Sequence, residues 1–197
     1  TKEWSVLSSC CSISGVLIFI GGMNIWLIDA FVSESVFLPL AMNVEILTTF
    51  ILIASSVFLK SNILAAFSVL SIAQITGAGT DYFMASYTIW VSSPVVTIVL
   101  FSALAFFLYY LSRSTLSRYE NILITGSRTS VLVTNFGFWV GSLFGGGKEV
   151  GVSPQLMSIA WALALVVFAV WGWRANRRWV VTVCLLYTSD AADDNAG

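Results

Sequence analysis

The sequence predicts an all-α fold, a polytopic transmembrane helix bundle of six spans plus the start of a truncated seventh. Three observations carry that prediction. Hydrophobic residues make up 58% of the 197 positions and charged residues only 10%, with a mean hydropathy of +0.91, whereas a soluble domain carries roughly a quarter charged residues to wet its exterior. Six apolar stretches approach the length of about 20 residues that a hydrocarbon core demands of a helix. Basic residues fall almost entirely in alternate connections, as expected if they stay on the cytoplasmic face. The balance argues against a cytosolic enzyme, a nucleic-acid binder and a disordered linker, so nucleic acid is not an expected partner and the lipid bilayer is.

The first span is Ser12 to Phe31, the second Phe37 to Leu59, the third, shorter, Ile63 to Gly79, and the fourth Pro94 to Ser112. The fifth, Thr129 to Gly145, is the least hydrophobic. The sixth, Gln155 to Trp173, is uncharged and ends against Arg174, Arg177 and Arg178, each of which a helix centre would resist by about 2.5–3.5 kcal/mol. A further apolar run starts at Trp179. These spans make residues 1–183 one transmembrane helical domain. From Cys184 to Asp193 the string resembles an in-frame translation of a sequencing-library adapter, so residues 184–197 are expected to be a non-native tail. Without Asp190, Asp193 and Asp194, nine basic residues stand against seven acidic ones, and the net charge of −1 becomes +2. Thr1 leaves open what precedes it in the gene.

Lys2, Lys60, Arg113, Arg118, Arg128, Arg174, Arg177 and Arg178 share one side of this scheme and Lys148 alone the other, which places residue 1 in the cytoplasm. Pro39, Pro94 and Pro154 are all expected to open helices on the outer side, where a missing N–H costs least. Ser93 and Ser153 precede two of them as cap residues. Tyr109, Tyr110, Trp171, Trp173 and Trp179 gather at the inner interface, and Trp26, Tyr82, Tyr87 and Trp90 at the outer one. Tyr82 to Ser92 is too short to span and reads as an outer interfacial or re-entrant helix.

Polar chemistry is sparse. The chain has no His, which removes the commonest general base and transition-metal ligand. No catalytic residue, cofactor site or metal site is expected. Cys10 and Cys11 are adjacent, a spacing that rarely meets disulfide geometry and leaves no four-coordinate shell. Leu7-Ser-Ser-Cys10 resembles a lipoprotein cleavage box but lacks an apolar signal core before it. Gly145-Gly-Gly-Lys148 lacks the spaced glycine and following hydroxyl of a phosphate loop and reads as a turn. Gly137, Gly141 and Gly145 put three small residues on one helical face, a site for a close helix–helix partner, within the chain or on another protomer.

One candidate site remains. Glu45 is the carboxylate well inside a span, about 12 Å below its outer boundary, while Asn24 and Gln74 reach roughly 16–18 Å from the inner ends of theirs. These three side chains are expected to share one layer near mid-membrane. In one reading Glu45, helped by Asn43, is interhelical glue holding helices one to three in register; in the other it belongs to a proton or small-solute site. Arg128 is expected to snorkel toward the inner headgroups, although Ile122 to Phe144 would also make one longer span around it. With Arg113 and Arg118 it forms a basic surface favouring anionic lipid.

The stretch Trp171-Gly-Trp-Arg-Ala-Asn-Arg-Arg-Trp179, after a helix started by Ser-Pro, and the run Phe67-Ser-Val-Leu-Ser-Ile-Ala-Gln-Ile-Thr-Gly77 resemble a family of bacterial multi-pass inner-membrane proteins of unknown function. The likeness covers much of residues 60–183. It implies residence in a bacterial inner membrane and brings no activity or catalytic residues with it. The expectation is therefore a non-enzymatic membrane component, with transport of a small solute or protons through the Asn24, Glu45, Gln74 layer as the alternative.

Overall fold

The computed structural model describes residues 11–22, 34–83, 86–114, 119–146 and 151–174. Six helices form among them: α1 (Cys11–Gly22), α2 (Glu34–Phe58), α3 (Asn62–Ile75), α4 (Pro94–Ser114), α5 (Glu120–Phe144) and α6 (Pro154–Arg174). Between α3 and α4 lies one antiparallel hairpin, β1 (Ala78–Phe83) and β2 (Ser86–Val91). The fold is thus helical, as expected, with this hairpin added. Among the described residues one helix, Pro94–Ser114, is both long and apolar enough to cross a membrane; the other apolar stretches are shorter.

The hairpin replaces the interfacial helix expected at Tyr82 to Ser92. Its strands pair from Ala78↔Val91 to Phe83↔Ser86. The run Tyr87-Thr-Ile-Trp-Val91 is entirely aromatic or β-branched, residues that suit a pleated strand better than a helix. The third predicted span is cut short for a related reason. Thr76 and Gly77 end α3: the Thr76 hydroxyl donates to the carbonyls of Ile72 and Ala73, and Gly77 adopts a left-handed φ of 85°, which glycine takes without a Cβ penalty. The amide and hydroxyl of Ser92 then both donate to the Gly77 carbonyl and close the hairpin base. At 14 residues α3 is about 21 Å long, well short of a 30 Å core.

Two of the three prolines stand where expected. Pro94 and Pro154 open α4 and α6, and the Ser153 hydroxyl accepts the Leu156 amide at 3.4 Å. Pro39 does not open α2; the helix starts at Glu34 and carries the proline as its sixth residue, at the cost of one backbone hydrogen bond. The expected start of the fifth helix, Thr129, is also corrected, since α5 begins nine residues earlier at Glu120 and runs through Arg128.

α5 is the centre of the bundle and packs on α3, α4 and α6. Contacts of Gly126 with Leu108 and of Gly137 with Thr97 and Ile98 show α4 and α5 running antiparallel. Gly141 meets Met157 of α6, and Gly145 meets Val152 and Pro154. The glycine stripe is therefore filled from within the chain, by the starts of α4 and α6. Phe101, Val69, Ala73, Ala78 and Val133 form a cluster where α3, β1, α4 and α5 converge.

Beside further apolar residues such as Leu64, Ile122 and Phe138, the interior holds small hydroxyl residues. Ser130 (0% exposed) and Thr134 (1%) are among the most deeply buried, and their hydroxyls donate four residues back, to Gly126 and Ser130 carbonyls. Ser68, Thr97 and Ser112 likewise satisfy themselves on their own helices. Many large apolar side chains point outward: Phe106 is 70% exposed and Phe144 80%.

Candidate functional site

α2 and α3 form a tight antiparallel pair. Lys60 turns the chain with a left-handed φ of 49°, the Ser61 amide donates to the Ser56 carbonyl, and the Ser61 hydroxyl accepts the Leu64 amide to start α3. That turn fixes the register between the two helices. Thr49 and Ser71 come opposite each other with hydroxyls 2.7 Å apart, and the Thr49 hydroxyl also lies 2.9 Å from the Glu45 carbonyl oxygen, to which it donates. One turn further along, Glu45 and Gln74 come level.

Both side chains line one groove of about 320 Å³, together with Thr48 and Ser71, while Leu17 and Ile20 of α1 supply part of its apolar wall. Glu45 is half-buried and Gln74 exposed. Two of the three residues singled out by depth are thus brought to one place. Asn24, the third, lies outside the described residues. The groove offers a carboxylate, a carboxamide and two hydroxyls at a junction of three helices, enough to hydrogen-bond a small polar solute or to hold helices in register. Thr48 and Ser71 were missed by counting depth along single helices, because hydroxyl residues are common on every face of this chain and only the register makes these two neighbours.

A second polar pair escaped the sequence reading. Asn135, central in α5 and almost fully buried, accepts the Trp161 indole N–H of α6 at 3.3 Å, and its own amide nitrogen has no partner among the described residues. The Ser127 hydroxyl donates to the Ala105 carbonyl, bonding α5 to α4. With Thr49–Ser71, the pairs α2–α3, α4–α5 and α5–α6 are each joined by an interhelical hydrogen bond.

No group of three metal-ligating side chains occurs among the described residues, and Cys11 is an exposed free thiol. Gly145 and Gly146 build a turn: the Gly146 amide donates to the Val152 carbonyl at 2.9 Å, and Val95 and Val152 occupy the space beside Gly146. Gly147 and Lys148 of the same run lie outside the described residues. Comparisons with protein-family models, with curated proteins and with solved structures each return no match.

Proposed function

We propose that the chain is a polytopic helical protein of the bacterial inner membrane, with residue 1 on the cytoplasmic side, acting as a non-enzymatic membrane component. The observation that carries this reading is the number of large apolar residues of α2, α4 and α6 left exposed around an α5 that packs through glycine and hydroxyl residues as well as apolar ones. In water such a surface would be a large exposed apolar patch, far beyond what soluble monomers tolerate. In lipid, helices associate through small residues and interhelical hydrogen bonds, which is the packing α5 makes. The resemblance around Trp171 to Trp179 supports the bacterial setting, and the one-sided placement of Lys and Arg supports the orientation.

The test is fractionation followed by labelling. The protein should stay in the membrane pellet through alkaline extraction, and single cysteines at positions 60 and 149 should label from the cytoplasmic and the outer side respectively. Recovery as a folded monomer in the aqueous fraction would end the membrane reading; reversed labelling would overturn the orientation alone.

A second reading is favoured by the convergence of Glu45 and Gln74 on one groove. An ionisable residue between helices in hydrocarbon is costly and marks solute or proton pathways. Glu45→Gln separates the two roles. A register residue should accept the neutral isostere with unchanged folding, whereas a proton carrier should lose pH-driven uptake in proteoliposomes. Uptake that survives the change removes Glu45 from any mechanism.

A further inference from the structure

A cavity of about 320 Å³ lies between α4, α5 and α6, walled by Phe106, Tyr109, Ser127, Val131, Val167 and Phe168. It is separate from the groove at Glu45 and has a different chemistry. Its walls are nearly all apolar, and the Ser127 hydroxyl is already committed to the Ala105 carbonyl. Phe106 and Val167, which flank it from α4 and α6, are both mainly exposed, so the cavity opens sideways between two helices rather than into the bundle axis. Its volume falls at the small end of ligand pockets, which run from about 300 to 1,000 Å³.

The charges nearby are one-sided. Because α4 and α6 run opposite to α5, Arg113 in the last turn of α4, Arg174 in the last turn of α6 and the start of α5 share one end of the three-helix unit. Arg113 follows Tyr109 by one turn, about 6 Å along the axis, and Arg174 follows Phe168 by about 9 Å. Arg128 sits on α5 beside Ser127, at the level of the cavity itself. All three arginines are exposed, and Glu120, in the first turn of α5, is the single described carboxylate at this end of α4–α6.

We infer that this cavity and its arginines form a binding site for an anionic phospholipid, one acyl chain lying between Phe106 and Val167 and the headgroup phosphate held by Arg113 and Arg174. The inference rests on the membrane reading above. Apolar walls open to the side fit an acyl chain, and a surplus of guanidinium groups one to two turns away fits a phosphate, which arginine binds through paired N–H donors. A neutral lipid would fill the cavity but bring no net negative charge to Arg113 and Arg174. A water-soluble anion would meet the arginines but gain nothing from the aromatic walls.

The test uses the full chain extracted from membranes in mild detergent, with native mass spectrometry counting bound phosphatidylglycerol against phosphatidylcholine. One phosphatidylglycerol should be retained preferentially. Each basic residue near a membrane surface contributes roughly fivefold in affinity for anionic lipid, so the double variant Arg113→Gln, Arg174→Gln should weaken that preference by roughly 30-fold. Val167→Trp, which fills the cavity from an exposed position, should remove both lipids. Equal retention of the two lipids by the unchanged protein, or a preference untouched by the arginine changes, overturns the site. Lipid retained in full by Val167→Trp overturns the placement of the chain in the cavity. Absence of the protein from the membrane pellet would instead sink the membrane reading, which is scored separately before extraction.

Discussion

Phe101→Ala should lower the stability of the bundle by about 2–3 kcal/mol, measured as a shift in reversible unfolding of the full chain in detergent or bilayer. Phe101 is wholly buried and sits where Val69 and Ala73 of α3, Ala78 of β1 and Val133 of α5 meet, so its ring ties three elements to its own helix α4. In a water-soluble core the same truncation costs about 3–5 kcal/mol, from the lost transfer energy of the ring plus the cavity left behind. If helices separate within lipid, the ring leaves the protein for a medium as apolar as the core, and the transfer part largely cancels. What remains is lost dispersion contact across the void. The size of the effect is therefore informative. A loss below about 3 kcal/mol fits association in lipid; a loss of about 5 kcal/mol would mean that unfolding exposes Phe101 to water. Val167→Ala, on the exposed face of α6, should change stability by less than about 0.5 kcal/mol in the same assay.

The contrast between Phe101 and its surroundings also shows what could be read from the chain before folding. The starts of α4 and α6 were legible because Ser-Pro precedes an apolar run in each, and both ends because arginine follows. The start of α5 was legible only as the alternative of a longer span from Ile122, not as the expected start at Thr129. Glu120, Arg128 and a series of hydroxyls lower its hydropathy, and a scan for lipid-exposed spans rejects those residues although buried Ile122 and Ile124 carry the helix back to Glu120. A helix surrounded by other helices does not need to be hydrophobic, and that surrounding is not written locally. The hairpin was missed because a short apolar run is compatible with either strand or helix, and only its β-branched and aromatic content favours the strand.

The candidate groove was legible to the extent that one turn sets it. Glu45 and Gln74 come level because the α2–α3 connection is only a few residues long, so distances counted from Lys60 in both directions agree. The cavity between α4, α5 and α6 left no comparable trace. Its walls are Phe, Val and Tyr in a chain full of them, and their convergence depends on how three long helices cross. Position along the chain located these polar groups, Glu45 and Gln74, well; it locates empty space poorly.

Gly145→Ala should cost about 2–4 kcal/mol, because it adds two separate penalties at one residue. Gly145 closes α5 with φ 86° and ψ −176°, a region essentially reserved for glycine, where an L side chain is strained by about 1–3 kcal/mol. A Cβ built there would also stand 2.8 Å from the Val152 carbonyl oxygen, with Pro154 close behind. That oxygen is backbone and accepts the Gly146 amide, so it cannot swing aside as a side chain would, and relief would require the α5–α6 turn to open. Gly151→Ala tests a positive φ without a close neighbour. Its φ of 63° is also left-handed, but nothing lies within 4 Å of the new Cβ, and the expected cost is about 1 kcal/mol. Gly15→Ala, in open space on α1 with an ordinary φ, should be neutral or stabilise by up to about 1 kcal/mol, since alanine is the better helix former. The order Gly145, Gly151, Gly15 in measured destabilisation is the prediction. Equal losses at Gly145 and Gly151 would show that the turn gives way freely and that the carbonyl of Val152 does not clamp α5 to α6.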